Sequence, residues 1–305
     1  MPASSVPQAC VPNRFALILL WVTPAFWSSN YIIARASQGV LTGHSLALGR
    51  WTVALLLMLP GVWRSRQAMR EAARDEWKQM LALGALGMWI CGAVLYIGGQ
   101  RTSATNIGLI YAATPVGIAV LASAWLHERM AARQKLAMGL ALLGVLLVVA
   151  QGEPMRILQA RFGSGDLWVL VAAVGWVLYS VLLRQWRSRL GPRERLACIT
   201  LGGVLVLLPA TLLEWALVPV PAFTPRAALL IAAAGVLPGF ISYQAYAWLV
   251  DRLGPVRCSI IMYLSPVYAA FLAWGILGEA PHWYHAAGAL LILPSTWLVS
   301  RTGSR

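Results

Sequence analysis

Several short runs place aromatic, hydroxyl and amide side chains at helical spacing within apolar sequence. Trp89, Gly92, Tyr96 and Gly99 stand three or four residues apart, so a helix presents them on one face. Gly239, Tyr243 and Tyr246 repeat the arrangement, as do Thr23, Trp27, Asn30 and Ala34, and then Trp176, Tyr179 and Ser180. Tyr111 and Tyr263 precede the prolines Pro115 and Pro266 by four and three residues. These groups suit non-covalent binding, in a mostly apolar pocket with a few oriented polar groups. They do not suit bond-making. No carboxylate or histidine falls near the middle of an apolar stretch; His44, His127, His282 and His285 all sit near stretch ends. Without a nucleophile and base at depth, or metal-ligand spacing, no catalytic residue, metal or cofactor is expected. A second reading stands beside the first: Trp and Tyr also anchor helices at a membrane interface, and small residues let helices pack. Trp21, Trp51, Trp63, Trp77 and Trp283 are expected to follow that reading. For Asn30 the alternative is a helix–helix hydrogen bond.

The elements that must position these residues are apolar spans. The chain is 59% hydrophobic and 11% charged, against roughly 25% charged residues in soluble domains. Nine stretches free of Asp, Glu, Lys and Arg are long enough to cross a bilayer: 15–34, 79–100, 102–127, 136–152, 167–183, 196–213, 227–250, 258–278 and 280–300. A tenth, 36–63, is interrupted only by Arg50. Lipid offers no backbone partners, so each span is a helix or part of a closed barrel. Barrel strands alternate polar and apolar residues, and these runs do not. The expected fold is an all-α polytopic membrane protein, one membrane domain over 1–305 with ten transmembrane helices. Arg50, the one charge inside a span, either binds substrate or gates, or pairs with polar groups and carbonyls at the rim.

The net charge of +14 does not imply nucleic acid, because the basic residues lie in the loops. With the N-terminus in the cytoplasm, seventeen of them fall on that side, among them Arg64, Arg66, Arg70, Arg74, Arg184, Arg187 and Arg195, and five fall opposite. This bias places both termini in the cytoplasm and lipid around the spans. Segment 64–76 is expected as a solvated loop, with a short surface helix as the alternative. Arginine outnumbers lysine 22 to 2, which points to a bacterial inner membrane. Cys10, Cys91, Cys198 and Cys258 form no disulfide or metal pattern. The N-terminus has no signal-peptide core.

The chain also contains one unit twice. Thr114-Pro115 and Ser265-Pro266 each interrupt an apolar run, and each proline is followed thirteen residues on by Glu128 or Glu279. Both pairs are offset by 151. Trp27 to Arg35 aligns with Trp176 to Arg184 at an offset of 149, which Pro60 and Pro209 share. Repeat one covers 14–151 and repeat two 165–301. Five spans per repeat is odd, so the second repeat enters inverted. Pro115 and Pro266 each remove an intrahelical hydrogen bond. They are read as paired hinges or as static kinks that widen a cavity.

This ordered set resembles the drug/metabolite transporter superfamily, in particular the ten-helix group with two EamA-type repeats. The resemblance covers essentially the whole chain. It rests on the Trp27 and Trp176 segments, on the two Ser/Thr-Pro-Val segments with their following glutamates, and on Gly139 and Gly288. It implies secondary transport of small metabolites by alternating access, with a cavity lined by spans 1, 3 and 4 and spans 6, 8 and 9. Candidate substrate-binding residues are then Trp27, Asn30, Arg50, Trp89, Tyr96, Tyr111, Trp176, Tyr179, Ser180, Tyr243, Tyr246 and Tyr263. The aromatic-rich spans look most like amino-acid exporters, including those for aromatic amino acids. The absence of a mid-span carboxylate favours facilitated export over proton antiport. A lipid-linked sugar flippase or another efflux carrier of the superfamily is the rival reading.

Overall fold

The computed structural model describes residues 14–301 apart from positions 100, 103, 129, 278 and 279. Glu279 and Cys10 therefore lie outside the described residues. Within them the chain is helical and contains no strand. The helices group into ten rods. These are α1 (Arg14–Ala36), α2 (Gly43–Val62), α3 (Arg66–Gly84, continuing through a π-helical segment Ala85–Val94 into Leu95–Gly99) and α4 (Ala104–Ala112 and Thr114–Trp125). Next come α5 (Ala132–Val149), α6 (Ser164–Gln185), α7 (Pro192–Leu217) and α8 (Pro225–Ala234, a π-segment Gly235–Ile241, then Ser242–Leu253). Last are α9 (Pro255–Ile261, a 3-10 turn Met262–Leu264, then Ser265–Leu277) and α10 (Trp283–Arg301). Among the described residues, eight stretches are long and apolar enough to cross a membrane. One of them, Gly43–Gly99, holds both α2 and α3, and α10 is not among the eight.

Helical ends follow local chemistry. Thr42 caps α2 by accepting from the Ser45 N–H, and Thr224 caps α8 through Ala227 N–H. Pro192, Pro225 and Pro255 sit in first turns, where a missing N–H costs nothing. The charged segment 64–76 corrects the sequence expectation of a solvated loop. After a 3-10 turn at Trp63–Ser65 it is already the first part of α3. Gln67 bonds Glu71 one turn on, and the far partners Arg189 and Ser188 engage Asp75 and Glu76.

The repeats are inverted in space. Helices α2 and α7 occupy equivalent places, and they run antiparallel: His44 meets Glu214 at one end, while Met58 meets Thr200 towards the other. Helices α5 and α10 behave the same way. Gly144 lies against Leu291 and Gly288 against Val148. The main packings of one repeat on the other come in exchanged pairs: α1 on α9 matches α6 on α4, and α2 on α8 matches α7 on α3. Small residues make the closest crossing possible. A Cβ on Gly84 would stand 2.3 Å from the backbone nitrogen of Gly203, so α3 and α7 touch backbone to backbone.

Candidate functional site

The two proline signals mark breaks between helices rather than bends within them. In α4 the helix stops at Ala112 and restarts at Thr114; in α9 the 3-10 turn precedes Ser265. Carbonyls near each break are used by the neighbouring rods. The Tyr263 hydroxyl donates to Ala112 O (2.9 Å), and Ser28 Oγ donates to Ser265 O (2.9 Å). Tyr263 is buried and Tyr111 half-buried beside its own break.

A second pair of irregularities was not legible in the sequence. The π-segments of α3 and α8 start at 85 and 235, equivalent places in the two repeats. Such segments release carbonyls from the helical ladder. Here Gly87 O accepts from the Tyr243 hydroxyl (3.1 Å), and Met88 O accepts from Trp51 Nε1 (3.2 Å). In α8, Leu237 O accepts from Ser242 Oγ (3.1 Å), and Pro238 O accepts from Arg50 Nη2 (3.1 Å).

Between the π-segments lies an aromatic cluster drawn from both repeats. Trp27 meets Trp176, Tyr243 and Tyr246 edge-on, with centroids 5.3, 5.5 and 5.2 Å away. Trp176 stacks on Tyr179 at 5.4 Å, and Trp51 meets Tyr243 at 4.6 Å. Edge-to-face and offset contacts are the favoured arrangements of aromatic quadrupoles. The Tyr246 hydroxyl donates to Ser180 Oγ (2.9 Å). Trp176 Nε1 and the Tyr179 hydroxyl are buried with no hydrogen-bond partner. A buried unsatisfied donor is costly and uncommon. Trp51, expected to be an interface anchor, is fully buried here instead.

Arg50 lies beside this cluster and does not snorkel; it is 3% exposed. Nη1 donates to Asn30 Oδ1 (3.3 Å) and to the Tyr96 hydroxyl (3.2 Å), while Tyr96 donates to the same Asn30 oxygen (2.7 Å). The guanidinium also lies over the Trp51 ring at 4.7 Å. Nε has no partner. Among the described residues no carboxylate pairs with Arg50.

Trp89 stands apart from the cluster. Its Nε1 donates to His44 Nε2 (3.3 Å), and His44 Nδ1 faces Glu214 Oε1 (2.9 Å). Thr42 Oγ1 donates to the other Glu214 oxygen. This group ties α2, α3 and α7 together at the end where α2 begins.

At the opposite, arginine-rich end is a vestibule of about 760 Å³. Glu128, Arg184, Ser188, Arg195 and Asp251 line it, with Leu183, Ala247 and Val250. Ala247 directly follows Tyr246, and Leu183 lies one turn past Tyr179, so the rods α6 and α8 that carry the aromatic cluster also line the vestibule. Arg195 Nη1 donates to Leu183 O (2.7 Å), and Arg184 Nη1 donates to Asp251 O (2.6 Å). Burial pushes the Glu128 carboxyl above its usual range, with nearby Arg184 opposing the shift. Gly254 adopts φ +80° and its missing Cβ would lie 3.0 Å from Glu128 Oε1, so only glycine fits. The sequence signal for this mouth was the pair of conspicuous features, Glu128 and the 184–195 arginines. Their meeting depended on the fold.

Known proteins match along the whole chain. The model of the EamA-like transporter family matches residues 14–150 and again 163–301. The chain is 30% identical to a probable terminal-alkyne amino-acid exporter of Streptantibioticus cattleyicolor, over 94% of this chain and 93% of that one. It is 23% identical to an uncharacterized transporter of Archaeoglobus fulgidus (94% and 98% covered). It is also 23% identical to an S-adenosylmethionine/S-adenosylhomocysteine transporter of Chlamydia muridarum (87% and 85%). A crystal structure with 18% identity shares the fold, with a TM-score of 0.76 over 94% of this chain and 97% of that one. The twice-matched family model and the inverted helical halves agree: the chain belongs to the EamA-like transporter family and is a multi-pass membrane transporter of small metabolites.

Proposed function

We propose that this transporter exports amino acids and close derivatives, aromatic ones included, by alternating access in a bacterial inner membrane. The arginine-rich end faces the cytoplasm, as do both termini, in keeping with the basic bias of its loops. The observation that carries the reading is the aromatic cluster, built by α1, α2, α6 and α8 from both repeats, two of which, α6 and α8, also line the vestibule. It offers apolar faces for a side chain and two unpaired donors, Trp176 Nε1 and the Tyr179 hydroxyl, for a polar group. The cargoes in the names of the Streptantibioticus and Chlamydia relatives, a terminal-alkyne amino acid and S-adenosylmethionine, are both built on an amino acid. In this reading Trp27, Trp176, Tyr179, Ser180, Tyr243 and Tyr246 line the path on the cytoplasmic side. Asn30, Arg50 and Tyr96 line it on the outer side. Tyr111, Tyr263, Pro115 and Pro266 control the broken rods α4 and α9, and Trp89 braces the outer end.

The test is counterflow in proteoliposomes loaded with unlabelled amino acid, followed with labelled phenylalanine at symmetric pH. Accumulation in the wild type and its loss in Trp176→Ala support amino-acid transport without a proton gradient. If a folded wild type accumulates no labelled amino acid, amino-acid export is wrong, and lipid-linked sugars and other metabolites become the cargoes to assay.

A further inference from the structure

We infer that Arg50 is a receptor for a carboxylate on the transported molecule, and that carboxylate binding competes with the grip of Arg50 on α8. The inference deepens the reading above by fixing the chemical group a cargo must carry, and it rests on that reading's substrate path.

The argument starts from the unused valences of one side chain. A guanidinium has five N–H donors. Two bonds leave Nη1, to Asn30 and Tyr96, and one leaves Nη2, to Pro238 O. Nε–H has no partner although it is buried. Nε–H and one N–H of Nη2 lie along the same edge of the planar group, which is an edge that pairs side-on with a carboxylate through two parallel bonds. No acidic side chain among the described residues fills that edge. The positive charge is thus held in place but not neutralised. A buried charge without a counterion is costly, and a cargo carboxylate arriving at this edge removes the cost.

The bond to Pro238 gives the binding a mechanical consequence. Gly235 and Gly239 bring the π-segment of α8 against α2: a Cβ on Gly235 would be 3.1 Å from Arg50 O, and one on Gly239 3.5 Å from Arg50 Cγ. Pro238 O is therefore presented directly to Nη2. A carboxylate drawing Nη2 towards the open edge weakens that bond and loosens α2 from α8. The equivalent place in repeat two, Ile199 of α7, has no such donor to offer α3. The control acts on one half of the molecule.

The experiment measures binding to purified protein by its tryptophan fluorescence, because Trp51 lies 4.7 Å from the guanidinium. The probes are 3-phenylpropionate and 3-phenylpropanol, alike except for the carboxylate. The acid is expected to bind about tenfold or more tighter than the alcohol. Arg50→Gln should remove that preference and Arg50→Lys should restore part of it. A second variant guards against a loss of folding: Asn30→Asp places an internal carboxylate beside Nη1, so it should stay folded, by its thermal midpoint, and lose the preference for the acid. Equal binding of acid and alcohol by the wild type overturns the inference, as does binding of neither. A preference for the acid that survives in Arg50→Gln or in folded Asn30→Asp also overturns it. Counterflow of phenylalanine decides the amino-acid reading separately, so either idea can fail without the other.

Discussion

Two places in this molecule occupy the same position in its two repeats and have become chemically opposite. In repeat one, Asn30, Arg50 and Tyr96 form a hydrogen-bonded, positively charged group. In repeat two the equivalent positions are Tyr179, Ile199 and Tyr246, which are wholly uncharged. Trp176, Tyr179 and Tyr246 pack as rings, with only Ser180 satisfying a hydroxyl. The backbone frame around both is alike, down to π-segments beginning at 85 and 235. Inversion places the charged group towards one end of the molecule and the aromatic one towards the other. The difference teaches that duplication supplied a symmetric backbone frame, while side chains made its two equivalent places chemically different.

The comparison breaks most severely if the charge is copied into repeat two. Ile199 is fully buried, against the Gly84 backbone. Ile199→Arg is expected to cost about 3 kcal/mol or more and to abolish a monodisperse peak in detergent size-exclusion chromatography. A folded, active Ile199→Arg protein would show that repeat two tolerates charge as repeat one does.

Next in size is Tyr243→Ala. Tyr243 joins the two regions, touching Trp51 on one side and Trp27, Trp176 and Tyr179 on the other. Its removal leaves a cavity and frees Gly87 O, at a cost of roughly 3–5 kcal/mol. Thermal unfolding in detergent reads the loss, and counterflow should fall to background.

A smaller effect sharpens the contrast at the vestibule. The carboxyl pKa of Glu128 is raised in the folded protein by burial. A raised pKa means that its contribution to stability is fully present below the ordinary carboxylate pKa and is lost as pH rises through the folded value. Glu128→Gln should therefore raise the unfolding midpoint at pH 8 and leave it nearly unchanged at pH 4. A lower midpoint at pH 8 would mean that attraction to Arg184 outweighs desolvation.

The smallest effect is expected at Trp89, which bonds His44 at the end where α2 begins without joining the aromatic cluster. Trp89→Phe removes one hydrogen bond to His44, worth about 1 kcal/mol, and should leave counterflow within a few-fold of wild type. A loss as complete as that of Tyr243→Ala would move Trp89 onto the substrate path.

The sequence alone determined the membrane spans, the duplication and its inversion. These depend on local composition and on an odd count of crossings, and lipid allows a continuous apolar run no fold but a helix. It also singled out Arg50, since a charge within a span stands out against apolar neighbours. Only the tertiary structure decided what Arg50 meets. Its partners Asn30, Tyr96 and Pro238 lie 20, 46 and 188 residues away, and no local pattern encodes contacts at such separations. The π-segments were hidden because their extra residue per turn leaves apolar composition unchanged. Trp51 read as an anchor because spacing fixes the face of a helix, whereas the neighbour that meets that face is chosen by how ten rods pack.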